Sequence, residues 1–192
     1  QVMRAQDMNF LDDGVREVNR KLLNILANVN RFYALFGKVN KEFDDDSSTN
    51  ILDKWMISKT HRLIKNATVS LDDYNTVKVC ADVLDFVDDL STWFVRRSRD
   101  RFKSSGDEKI WALKTLAFAL DRLSKVIAPI TPFIAEETFQ ILREFNLEKS
   151  ESVHLQAWPS FNEKLIDDSI EEKMIVVREI VSKGLDERNK IK

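Results

Sequence analysis

Phe86-Val87-Asp88-Asp89-Leu90-Ser91-Thr92-Trp93-Phe94-Val95-Arg96-Arg97-Ser98-Arg99-Asp100-Arg101-Phe102 is the stretch on which the reading of the fold turns. At helical spacing Val79, Val83, Phe86, Leu90 and Trp93 make one apolar stripe, and Val77, Cys80, Leu84, Val87 and Phe94 make another beside it. A face that wide needs more than one neighbour, so the pattern predicts a central helix from about Asn75 to Ser98 inside a larger helical assembly. Asp82, Asp85 and Asp89 are expected on its wet side. The charge then changes sign at the end of the helix, where Arg96, Arg97, Arg99 and Arg101 follow one another.

A helix C-terminus carries partial negative charge and favours a cation there by about 0.3 to 1 kcal/mol. That preference accounts for one or two arginines. Four of them crowded into one turn and a half repel each other unless an anion sits among them, and planar guanidinium groups suit bidentate phosphate contacts. With Trp93, Phe94 and Phe102 interleaved, the segment offers charge for a nucleic-acid backbone and flat rings for unpaired bases. The competing reading is a plain solvated face.

Composition narrows the class. The chain has 192 residues, 43% hydrophobic and 32% charged, enough for one sizeable core or two modest ones. Four glycines and three prolines leave few turn signals, which argues against an all-β fold and for an all-α one with long helices. A formal net charge of -2 means that any nucleic-acid surface is a local patch on a mildly acidic body. The single cysteine, Cys80, reads as a buried small hydrophobe in a reducing compartment. No signal peptide or bilayer-spanning run is evident, so a cytoplasmic location without membrane association is expected.

Along the chain, residues 1–11 have no strong period and begin as though cut from something longer. Asp12 or Asp13 is placed to cap a helix carrying Val15, Val18, Leu22, Ile25, Leu26, Val29, Phe32, Tyr33 and Phe36, with Gly37 as its stop. The segment 40–50 is polar and acidic and reads as an exposed loop. Asn50 or Thr49 caps a second helix with Leu52, Trp55, Met56, Leu63, Ile64, Ala67 and Leu71; Trp55 reads as core and His61 as a surface residue. After a basic turn at Lys103–Asp107, the run from Glu108 to Ile127 is apolar nearly all round and belongs at the centre. Ala128-Pro129 stops it, and Thr131-Pro132 restarts a helix to about Phe145 with Glu136 and Glu137 near its positive end. Ser152-Val153-His154-Leu155 reads as a short extended piece in a connector over 148–169. A last helix over 170–192 presents Ile170, Met174, Val177 and Val181 on one face and stops with the chain.

Catalysis needs a base beside a nucleophile, a metal cluster or convergent carboxylates. Two isolated histidines, one cysteine and adjacent acidic pairs such as Glu136-Glu137, which point apart on a helix, supply none of these, so no catalytic and no metal-binding residue is assigned.

Four ordered motifs carry a resemblance. They are Leu52-Asp53-Lys54-Trp55-Met56-Ile57-Ser58; Phe86 to Leu90 running into Trp93-Phe94-Val95-Arg96-Arg97-Ser98-Arg99; Leu123 to Glu137, including Ala128-Pro129-Ile130-Thr131-Pro132-Phe133; and Ser152-Val153-His154-Leu155-Gln156-Ala157-Trp158-Pro159. Together they resemble the anticodon-binding region of isoleucyl-tRNA synthetases over nearly the whole chain. The alanine-proline motif is shared with valyl, leucyl and methionyl relatives, whereas the arginine run and the final motif look specific to the isoleucyl branch. Arg4-Ala5 and Gly14 to Val18 are similar to the segment just after that family's ATP-site lysine loop.

The resemblance implies an antiparallel helix bundle over 12–147, joined through residues 1–11 to a catalytic domain, that grips the anticodon arm of isoleucine tRNA. ATP and magnesium would be used by domains absent from this chain, which would catalyse nothing itself and act as a monomer. The RNA-contact residues implied are Trp93, Arg96, Arg97, Arg99, Arg101, Phe102 and Lys103. Phe94 stands where the family is expected to carry tyrosine, and Asp100 interrupts the arginine run. A valyl or leucyl relative, or a helical protein-interaction module, is the alternative.

Overall fold

The computed structural model describes residues 11–37, 48–145 and 149–190, so the segment before Leu11 and most of the acidic 40–50 loop lie outside the described residues. Among these residues the fold is all-α, without a β-strand. Helix α1 (Asp12–Val18) passes through a π-helical stretch, Asn19–Leu23, into α2 (Asn24–Phe36). Then come α3 (Ile51–Asp72), α4 (Thr76–Asp88) with a second π stretch at Asp89–Val95, α5 (Arg99–Lys103), α6 (Asp107–Ile127), α7 (Pro132–Glu144) and α8 (Asp168–Lys190).

Most helix ends agree with the sequence signals. Asn50 accepts the Leu52 amide at 3.0 Å and starts α3, and Asn75 accepts the Lys78 amide at 3.2 Å and starts α4. Pro132 occupies the first turn of α7, where a missing N–H leaves nothing unsatisfied. Two caps differ: α1 begins at Asp12 after Leu11 without a side-chain cap, and the Thr131 hydroxyl lies back toward the Ile127 carbonyl instead of capping α7. Gly106, at φ 91, opens α6 in a conformation that L side chains rarely adopt.

Helix α6 lies at the centre, as its all-round apolarity predicts. Leu113, Leu116, Leu120, Leu123, Val126 and Ile127 are buried against α3 and α7, and Trp55, Met56, Phe86, Phe94 and Phe139 complete the core. Asn30 of α2 donates to Thr138 of α7 at 2.9 Å, a buried polar tie between these helices.

Polar groups at helical spacing along α3 hold the C-terminal part of the chain. Ser58 bonds the Asp167 amide and Glu171, and Arg62 reaches Glu171 at 2.7 Å and also Asp168. Lys65 pairs with Glu163 at 2.8 Å and Thr68 accepts from the Trp158 indole at 2.9 Å. His61 belongs to this row. It is 3% exposed, its Nδ1 accepts the Asn162 amide at 3.2 Å and its ring lies 5.4 Å from Phe118, so the expected surface histidine is a buried one. The 148–169 segment contains single 3-10 turns at Val153–Leu155 and Glu163–Leu165, in place of the expected extended piece. Glu136 fixes the first of them, accepting from Gln140 at 2.6 Å, Ser152 at 2.8 Å and the Val153 amide at 3.0 Å.

Two residues assigned to RNA contact are part of this framework. Phe102 is 0% exposed and packs edge-on against Phe32 at 5.0 Å and Phe94 at 6.3 Å, because α5 folds back onto the core. Arg101 makes a bidentate pair with Asp53, at 2.8 and 2.6 Å, and reaches Glu108 at 2.7 Å. Asp53 is fully buried in the first turn of α3 and also accepts from the Ser48 hydroxyl at 2.6 Å. Ser48, in the segment read as exposed loop, is itself buried. Phe102 is therefore closed to a ligand, and the Arg101 guanidinium is already engaged by Asp53 and Glu108.

These contacts set two stability predictions. Phe102→Ala should cost about 3–5 kcal/mol through the cavity it leaves, and Arg101→Ala a similar amount by stranding the buried Asp53 carboxylate; Arg96→Ala and Arg99→Ala should shift the melting temperature by less than about 2 °C. Thermal and denaturant unfolding of the four variants measures the contrast. Burial alone would raise the Glu136 pKa, but the bonds from Gln140, Ser152 and Val153 outweigh it and hold the carboxyl below its ordinary 4.5. A depressed folded-state pKa contributes stability that is complete above about pH 4.5 and drains away as the pH falls through the lower folded value. Glu136→Gln should therefore lose less stability than wild type on acidification, measured by urea unfolding across that range.

Candidate nucleic-acid interface

The apolar stripes of α4 are buried at Val79, Val83, Phe86, Val87, Leu90 and Phe94, with Val77, Cys80, Leu84 and Trp93 half-buried at their margins. Cys80 is thus less enclosed than its stripe suggests. The π stretch at Asp89–Val95 inserts extra backbone into the turn just before the arginines. One additional residue in a helix re-aims all later side chains by about 100°. The widened turn therefore decides which way the tip faces.

Beyond it Arg96 and Arg97 are exposed, Ser98 is fully buried where the helix breaks, and Arg99, Asp100 and Lys103 are exposed on the short α5. Among the described residues Arg96, Arg97 and Arg99 make no ion pair with a carboxylate. Arg101 is the exception: burial would lower its pKa, but the bonds to Asp53 and Glu108 hold it above its ordinary value. Three exposed guanidinium groups and Lys103 thus cluster at one tip, with Asp100 as an opposing charge.

Trp93 is half-buried, and guanidinium groups lie over its ring: Arg97 at 5.0 Å and Arg178 of α8 at 5.4 Å. Such contacts contribute about 0.5 to 1 kcal/mol at exposed sites and more when desolvated. Within this chain Trp93 orients Arg97; it is less open to a stacked base than its place in the sequence suggests.

Local pattern does not single out Arg178. It reaches Asp88 at 3.0 Å and also bonds Asp89, which Lys59 of α3 approaches at 3.0 Å. Asp89 is consequently 4% exposed, not on the wet side with Asp85. The side of α8 turned to the body carries Ile170, Glu171, Met174, Arg178 and Val181, whereas Val177 is 46% exposed. The spacing 170, 174, 178, 181 would have found Arg178, had a charged residue been allowed in an apolar stripe.

Among the described residues no group of three or more His, Cys, Asp or Glu side chains could hold a metal ion. Nor is any described helix long and apolar enough to cross a membrane. The distinctive chemistry is the cationic tip at the end of α4, on an otherwise acidic body.

The anticodon-binding domain of tRNA ligase matches residues 53–192. The isoleucine-tRNA ligase of Clostridium novyi (strain NT) is 42% identical over 188 residues, that of Clostridium acetobutylicum 40% over 187, and that of Clostridium tetani 38% over 189. These alignments cover 94 to 95% of this chain, which spans about 18% of the length of each relative. A match that covers most of the chain shows the family: the chain belongs to the anticodon-binding domain family of tRNA ligases.

Proposed function

We propose that this chain holds the anticodon arm of isoleucine tRNA, and that Arg96, Arg97 and Arg99 supply its principal phosphate contacts. The observation that carries the reading is that these three guanidinium groups are exposed and without a carboxylate partner among the described residues, at one tip of an anticodon-binding domain. Arginine at such a site neutralises backbone charge and displaces condensed counterions, giving affinity and orientation. Lys103, exposed at the end of α5, adds to the same field. Trp93 keeps Arg97 in place.

On this reading attachment of isoleucine, with its ATP and magnesium, belongs to the remaining domains of a parent isoleucine-tRNA ligase. The chain contributes position, not chemistry. The work would be done in the cytoplasm, by a monomer. Ile175, Val176 and Ile180, each more than half exposed on α8, fit contact with another part of such a parent.

Titration of the purified chain with isoleucine tRNA at rising salt is the test. Affinity should fall linearly on logarithmic axes, and replacing Arg96, Arg97 and Arg99 together by alanine should make the slope shallower by roughly two to three, since each lost phosphate contact removes about 0.7 to 0.9. Equal affinity and slope for wild type and the triple variant would contradict the assignment.

A further inference from the structure

Beside the arginine tip lies a groove of about 650 Å³ between the end of the α4 helix and the C-terminal half of α8. One wall is formed by Trp93, Arg96 and Arg97, the other by Val181, Leu185 and Arg188. Arg188 is exposed and, like Arg96 and Arg97, has no carboxylate partner among the described residues. The neighbouring acid on its helix, Glu187, is bonded to Lys190 at 2.7 Å.

The charges around the groove fall into two groups. Arg178 is compensated by Asp88 and Asp89 and, over the Trp93 ring, ties α8 to the base of the groove. Arg96, Arg97 and Arg188 are uncompensated, against one exposed rim acid, Glu179. Val181 and Leu185 supply an apolar surface between the cationic sides. A polyanion with flat or sugar faces between its charges matches this alternation; an acidic peptide helix would present its charges on one face only.

We propose that this groove is a second RNA-binding surface, in which Arg188 of α8 contacts the ribose-phosphate backbone opposite Arg96 and Arg97, so that the strand is held from two sides. The inference rests on the anticodon-arm reading above and extends it from a tip to a two-walled channel. It assigns α8 a part in RNA recognition, and it assigns Arg178 and Trp93 the work of setting the spacing between the walls.

The experiment titrates the full chain with isoleucine tRNA at several salt concentrations, comparing wild type with Arg188→Ala, Arg188→Glu, Glu179→Gln and the combined Arg96, Arg97 and Arg99 alanine variant. Arg143→Ala, on α7 outside the groove, is the control. Arg188→Ala should weaken binding by up to about five-fold and lower the salt slope by roughly 0.7 to 1. Arg188→Glu should weaken it further, Glu179→Gln should tighten it, and the control should match wild type. If the triple variant loses binding while both Arg188 variants bind as wild type does, the second wall is refuted and the tip reading stands. If wild type does not bind, or the triple variant binds equally well, both readings fall. Recovery of binding to an acidic protein in place of tRNA would also overturn the proposal.

Discussion

The buried pair between Arg101 and Asp53 is the constraint that sets the geometry of the tip. A carboxylate with no exposure, in the first turn of α3, needs a fixed cation, and Arg101 satisfies it through two parallel bonds of 2.8 and 2.6 Å. Meeting that demand draws α5 back across the core and lodges Phe102 between Phe32 and Phe94. The chain has to break at Ser98 to turn in this way, and the residues on the outer side of the break, Arg96, Arg97 and Arg99, are left facing solvent. One arginine is therefore structural so that three others can remain uncommitted. A pair of this kind fixes conformation more reliably than it adds net stability, because desolvation offsets much of its attraction.

The same division recurs at α8. Arg178 neutralises the acidic end of α4 and lies over Trp93, while Arg188, about three turns further along, is unpaired. Arginines near carboxylates are joints, and those beyond their reach form a cationic surface. That surface can exist on a chain of net charge -2 because several of the acidic residues near it are already engaged, Asp100 and Glu179 being the exposed exceptions. Asp88, Asp89 and Glu108 each hold an arginine of this chain, so they subtract less from the field at the tip than a count of charges suggests.

Much of the fold can be read from local sequence, because its signals are local. The breadth of apolar positions on α4 and α6, the asparagines ahead of α3 and α4, and Pro132 at the start of α7 all act within one or two turns. The features that escape such a reading depend on partners distant in sequence. His61 resembles a surface residue until the segment around Asn162 covers it, and Asp89 resembles a solvated acid until Arg178 arrives from 89 residues away. The candidate site divides along the same line. Arg96, Arg97 and Arg99 are exposed as their pattern suggests, but Arg101 and Phe102 fall in the same motif and are claimed by Asp53 and the aromatic core. Nothing in a linear run of arginines states which of them a remote carboxylate will take.

On the proposed reading the uncommitted arginines meet one part of a tRNA, the anticodon arm. Footprinting of backbone accessibility on isoleucine tRNA bound to this chain tests it most directly. Phosphates in the anticodon stem and loop should be protected, and the protection should disappear with Arg97→Glu. Protection spread evenly over the molecule, or confined to the acceptor arm, or unchanged in that variant, would contradict it.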